Sequence, residues 1–127
     1  MTYIDLIKAD LKCVRLFVNG AGTADLNIAA YHCQQAVEKT CDYIAQGLGL
    51  SRLRTHKIEK WVEFLQEHKV AVLVVEKRAE EISSWESQPR YNINFVVAKQ
   101  DIKVIAEATR KWLVKYDRII TLKEGIS

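Results

Sequence analysis

The stretch Ser87-Gln88-Pro89-Arg90-Tyr91-Asn92-Ile93-Asn94 gathers an arginine, a tyrosine and a pair of asparagines within a few residues. An arginine fork can hold a phosphate through parallel hydrogen bonds. A tyrosine ring can stack on a base. A helix start just downstream adds amide dipoles that favour an anion. Arg90, Tyr91, Asn92 and Asn94 are therefore candidate ligand-binding residues. The same side chains also suit a loop anchor, with the arginine on helix-end carbonyls and the asparagines as caps. The residue types alone leave both readings open.

Other chemistry finds less material. Cys33 and Cys41 lie about 12 Å apart along a helix at the standard rise, too far for one tetrahedral zinc. His32, His56 and His68 fall on separate segments without ligand spacing, so no metal is expected. All three cysteines, Cys13, Cys33 and Cys41, fall on apolar stripes and read as small buried hydrophobes rather than nucleophiles. Gly20-Ala21-Gly22 joins helical segments instead of following a strand, which removes its value as a dinucleotide fingerprint. Basic residues are grouped: Lys8, Lys12 and Arg15 on one helix face, Lys111, Lys115 and Arg118 on another, and Arg52, Arg54, Lys57 and Lys60 around a loop. Solvated outer faces explain such groups, and phosphate contacts are the functional alternative.

Helices must position these residues. Ile4, Ile7, Leu11, Val14 and Phe17 recur at helical spacing and predict a first helix from about Thr2 to Asn19, with Gly20 as its stop. A second helix is predicted from Thr23 or Asp25 to about Gly47. Its apolar stripe is Ala30, Cys33, Val37, Cys41, Ile44 and Leu48, and its polar stripe is Tyr31, Gln35, Glu38 and Asp42. A third begins after Thr55, read as its cap, with Ile58, Trp61, Val62 and Leu65 inward. Val70 to Val75 is β-branched, but Val72, Val75, Ala79, Ile82 and Trp85 keep the helical period, so a fourth helix is expected there. Ser83 to Asn94, with the sole proline, reads as the longest loop. The last helix is predicted from about Val97 to Ile120, with Ala98, Ile102, Ile105, Thr109, Trp112, Tyr116 and Ile119 inward. Trp61 and Trp112 should be buried. Tyr31, Trp85 and Tyr91, near polar stripes or loops, are candidate interface aromatics.

A chain of 127 residues is long enough for one domain with its own core, and residues 1–127 are read as one. One proline and five glycines disfavour an all-β fold of many turns. A formal charge of +3 implies no nucleic-acid binding without a local basic face. The longest apolar run, Val70 to Val75, is far short of the ~20 residues of a membrane span. The first residues lack a secretory pattern, and the unpaired cysteines fit a reducing compartment, so a cytoplasmic location is expected.

Three short motifs, in order, resemble one family. Tyr31-His32-Cys33-Gln34-Gln35-Ala36-Val37-Glu38-Lys39 resembles the HEPN domain signature. Arg54-Thr55-His56-Lys57-Ile58 is similar to its Thr-His-Asp-Leu helix start, with Lys57 replacing the acid. Pro89-Arg90-Tyr91-Asn92 resembles its Ala-Arg-Tyr-Pro motif, with departures at each end. The resemblance implies an all-α, antiparallel up-and-down bundle of four to five helices, homodimeric, and adds Glu38 and Lys39 to the candidate ligand-binding residues. Family members occur beside minimal nucleotidyltransferases, in toxin–antitoxin pairs and in RNA-cleaving defence systems. Ribonuclease members carry an arginine followed a few residues later by a histidine. Arg90 matches the arginine, but Asn94 and Phe95 stand near the histidine's place, and no histidine follows His68. A hydroxyl attack on phosphate needs proton transfer, which neither residue supplies. The expectation is thus a non-catalytic nucleotide- or RNA-binding module without cofactor, or the accessory subunit of a nucleotidyltransferase. A ribonuclease toxin with a degenerate site and a protein-interaction bundle are the alternatives.

Overall fold

The computed structural model describes residues 1–20, 22–51, 53–91 and 94–126, apart from the side chains of 73, 74, 89–91 and 126. Among them the chain forms α1 (Tyr3–Val18), α2 (Thr23–Gly47), α3 (Ile58–Glu67), α4 (Leu73–Lys77), α5 (Ala79–Tyr91) and α6 (Lys99–Ile126), with no strand. This is the all-α bundle that the periodicity implied, with six helical segments because the fourth expected helix divides at Arg78 into α4 and α5.

Local chemistry explains the helix ends. Thr2 and Asp5 form a reciprocal capping box at the start of α1, which pairs orphan N–H groups in both directions. Gly20 does not take the left-handed backbone expected of a helix stop. A Cβ there would lie 2.2 Å from Asp25 Oδ2, so this glycine provides room for a close turn. At the end of α2 it is Gly49, at φ 74°, that turns the chain. The Leu50 N–H then reaches the Ala45 carbonyl at 2.8 Å, the bond that closes a Schellman motif.

α2 is the central helix and packs against α1, α3, α5 and α6. Ala29, Ala30, Cys33, Ala36, Val37 and Cys41 are buried along it, and their small side chains let its neighbours approach closely. Trp61, Trp85 and Trp112 fill the space between helices at 1%, 1% and 3% exposure. Trp61 and Trp112 are inward as expected. Trp85 corrects the reading of an interface aromatic, because the α5 stripe of Ala79, Ile82 and Trp85 is buried in the core.

Further corrections follow from packing. The segment after α3 is neither a strand nor an uninterrupted helix. Lys69, at φ 64°, reverses the chain so that the Val70 N–H returns to the Leu65 carbonyl at 2.9 Å. α6 then takes the backbone of Ala71: its N–H donates to Tyr116 Oη at 3.0 Å, and its carbonyl accepts from Trp112 Nε1 at 2.8 Å. Those bonds replace a helical ladder until α4 begins. Secondly, while Asn94 lies in a turn, Ser83 to Tyr91 is helix rather than loop, since α5 runs through Pro89 to Tyr91. Its buried stripe holds the helix against α2 despite the N–H that proline lacks. Thirdly, Thr55 is not the cap of α3. Lys57 holds that position, Thr55 Oγ1 accepts the Lys57 N–H, and Ser83 Oγ on α5 accepts the Ile58 N–H at 2.7 Å. In α6 the inward residue of the last turns is Ile120, at 3% exposure, while Ile119 is 39% exposed.

Candidate functional site

The polar stripe of α2 faces α1 on one side and the loop before α3 on the other. Between them lies a cleft of about 550 Å3 lined by Gln35, Glu38, Lys39, Asp42, Arg54 and His56, with Tyr3 and Trp61 at its margins. Glu38 and Lys39 are each paired. Glu38 Oε1 is 2.7 Å from His56 Nδ1, which joins α2 to the loop. Lys39 Nζ donates to Asp10 Oδ2 at 2.5 Å, and the other oxygen of Asp10 is 2.9 Å from His32 Nδ1. Asp10 is 7% exposed, so these contacts supply the partners that its carboxylate needs inside the bundle. Asp42, also buried, accepts from Tyr3 Oη at 2.7 Å and from Gln46 Nε2 at 3.1 Å.

Glu38 orients the His56 ring, whose side chain is 80% exposed. With Nδ1 turned to the carboxylate, Nε2 is left to the solvent side. Arg54, also exposed, stands on the same loop. The pair offers donors to an anion when His56 is protonated. Gln34 helps to fix the loop by donating from Nε2 to the His56 carbonyl at 3.3 Å, and accepts from Gln35 Nε2 at 2.7 Å.

Among the described residues the sequence candidates fall in two places. Glu38 and Lys39 line this cleft. Arg90 and Tyr91 belong to the last turn of α5, and their side chains lie outside the described residues, as does Asn92 entirely. Asn94 is exposed in the segment between α5 and α6. That segment meets α2 near its N-terminal end, where Asn27 Nδ2 donates to the Phe95 carbonyl at 3.0 Å. Asn27 and Glu38 are about 16 Å apart along the axis of α2. The helix start expected downstream at about Val97 falls at Lys99, and Arg90 itself sits at the negative, C-terminal end of α5. A cation is favoured there, but the amide dipoles invoked for an anion are not adjacent in the chain.

A family model for the HEPN domain matches residues 10–118. The chain belongs to the HEPN domain family. No curated protein and no solved structure matches the chain. The HEPN match begins at Asp10, the residue that joins α1 to α2, and ends within α6. HEPN domains are generally associated with nucleotides and RNA, and they often dimerise. In this HEPN domain, Glu38 and His56 come from separate recognised motifs and are brought into direct contact.

Sequence reasoning missed Asp10, His32 and Tyr3, and did not nominate Arg54 or His56 as site residues. The second motif contained Arg54 and His56, which was the available signal. Asp10 carried none, since nothing local marks an aspartate that will be buried against a lysine 29 residues away. Two thiols are buried as expected: burial pushes Cys33 up to about 12 and raises Cys41 further. Cys13 is only half-buried. Among the described residues no group of three or more His, Cys, Asp or Glu could hold a metal ion. No described helix is long and apolar enough to cross a membrane.

Proposed function

We propose that this HEPN domain binds nucleotide or RNA phosphate without cutting it, as a homodimeric accessory module of a minimal nucleotidyltransferase in a toxin–antitoxin setting. One observation carries the reading. The arginine of the family's ribonuclease motif is kept as Arg90, but no histidine follows it. Residues 1–127 act as one domain, and the two-fold contact is isologous, as in most small homodimers. The neighbouring open reading frame is expected to encode the nucleotidyltransferase.

The test is a titration of fluorescein-labelled single-stranded RNA and of nucleotide into wild type and Arg90→Ala. Loss of one charge-assisted contact weakens binding by about 1.5–3 kcal/mol. Added salt weakens wild-type binding as counterions are released. Wild-type protein leaves the RNA intact with or without divalent metal. Cleavage that Arg90→Ala abolishes replaces the reading with a ribonuclease of altered site. Unchanged binding makes Arg90 a loop anchor.

A further inference from the structure

The basic residues of the last helix border a second concave surface, separate from the α2 cleft. Between the start of α4 and α6 runs a groove of about 580 Å3. Its floor is apolar, made by Val72, Val75, Val104 and Trp112. Lys103, Lys111 and Lys115 stand along it, and all three are exposed. Lys115 Nζ lies 5.6 Å from the centre of the Tyr116 ring, which steadies its ammonium beside the groove. The acidic lining residue is Glu107, and its carboxylate is already bound bidentately by Arg110 at 2.7 and 3.0 Å. That guanidinium also holds Glu107 below the usual carboxylate range. The local charge left for a visitor is positive.

The shape and floor narrow the visitor's chemistry. The lining runs from Gln100 to Lys115 of α6, about 22 Å or four turns. Single-stranded nucleic acid is held by a basic groove combined with aromatic faces on which its bases stack. Trp112 offers no such face: it is 3% exposed, and its indole N–H is used by the Ala71 carbonyl. An apolar floor flanked by lysines instead matches a helix with an apolar stripe and acidic shoulders.

We propose that the α4–α6 groove docks an amphipathic acidic helix of another protein, its apolar stripe over Val104, the exposed valine of the floor, and its carboxylates against Lys103, Lys111 and Lys115. This inference is independent of the phosphate reading above, since it shares no residue with it.

The probe is a synthetic labelled peptide of about 18 residues, long enough to cover the groove as a helix. It carries leucines at i, i+3, i+4 and i+7 and glutamates on both flanks. A scrambled peptide of the same composition and a lysine-for-glutamate version are the controls. Fluorescence anisotropy should show binding of the acidic amphipathic peptide and at least about tenfold weaker binding of both controls. Lys103→Glu with Lys111→Glu should weaken it by about tenfold or more. Val104→Glu should do the same through the floor. Salt should weaken binding, because exposed charges are screened over about 10 Å at 0.1 M. If Val104→Glu loses its helical circular dichroism, the exposed lysine reversal decides. Equal binding of the scrambled peptide, or binding unchanged by both variants, overturns the proposal. Displacement of the peptide by single-stranded RNA would make the groove a nucleic-acid surface instead. A dimer that becomes monomer in Val104→Glu would make its occupant a second copy of this chain.

Discussion

Asp10→Asn tests the energetics of the α1–α2 junction. The carboxylate is 7% exposed and divides its oxygens between Lys39 at 2.5 Å and His32 at 2.9 Å. Asparagine keeps the shape and one acceptor but removes the negative charge that faces the Lys39 ammonium, so one ion-paired contact is lost. Such contacts contribute about 1.5–3 kcal/mol net. Lys39 and His32 retain 27% and 28% side-chain exposure, which lets water relieve the partner left behind. The expected loss is therefore in the lower part, about 1.5–2.5 kcal/mol. For a chain of this length that lowers the melting temperature by roughly 3–5 °C per kcal/mol. Urea unfolding at fixed protein concentration and neutral pH, followed by the fluorescence of the buried tryptophans, measures it. Lys39→Met and the double variant complete a cycle whose coupling energy should reach about 1 kcal/mol. Lys8→Gln, at an exposed position on the same helix, should stay within about 0.5 kcal/mol of wild type. An Asp10→Asn protein as stable as that control, or a coupling indistinguishable from zero, would refute the view that this pair fastens α1 to α2.

Lys69→Gly should stabilise the protein by about 1 kcal/mol, because φ 64° costs a residue with a Cβ what glycine does not lose; a higher urea midpoint at unchanged slope checks it. In the native state at pH 8, Ellman's reagent should react with Cys13 and spare Cys33 and Cys41, whose thiols burial holds protonated, while denaturant should release all three. Burial and the Asp117 carboxylate raise the pKa of Tyr43 above its usual 10, so the fold favours the protonated phenol. Its contribution to stability is complete below pH 10 and is lost as pH rises beyond that value, and Tyr43→Phe should show a shallower alkaline decline in urea midpoint.

Helices α1, α2, α3 and α6 were readable because each keeps an apolar face in register over several turns, and a helix long enough to repeat its pattern leaves little ambiguity. The chain from Val70 to Tyr91 was not readable in the same way. β-branching and proline are local preferences. The local evidence could not include Trp112 and Tyr116 taking the Ala71 backbone, or the core holding Ile82 and Trp85. The site divides along the same line. Glu38, Lys39 and Arg90 could be named from short motifs, because a motif is contiguous and its residue types survive being read in order. Their partners could not. Asp10 and Lys39 meet across 29 residues, Glu38 and His56 across 18, and Tyr3 and Asp42 across 39. Neutralising a buried carboxylate is a condition on neighbours in space, and that condition exists only after α1 and the loop before α3 have packed against α2.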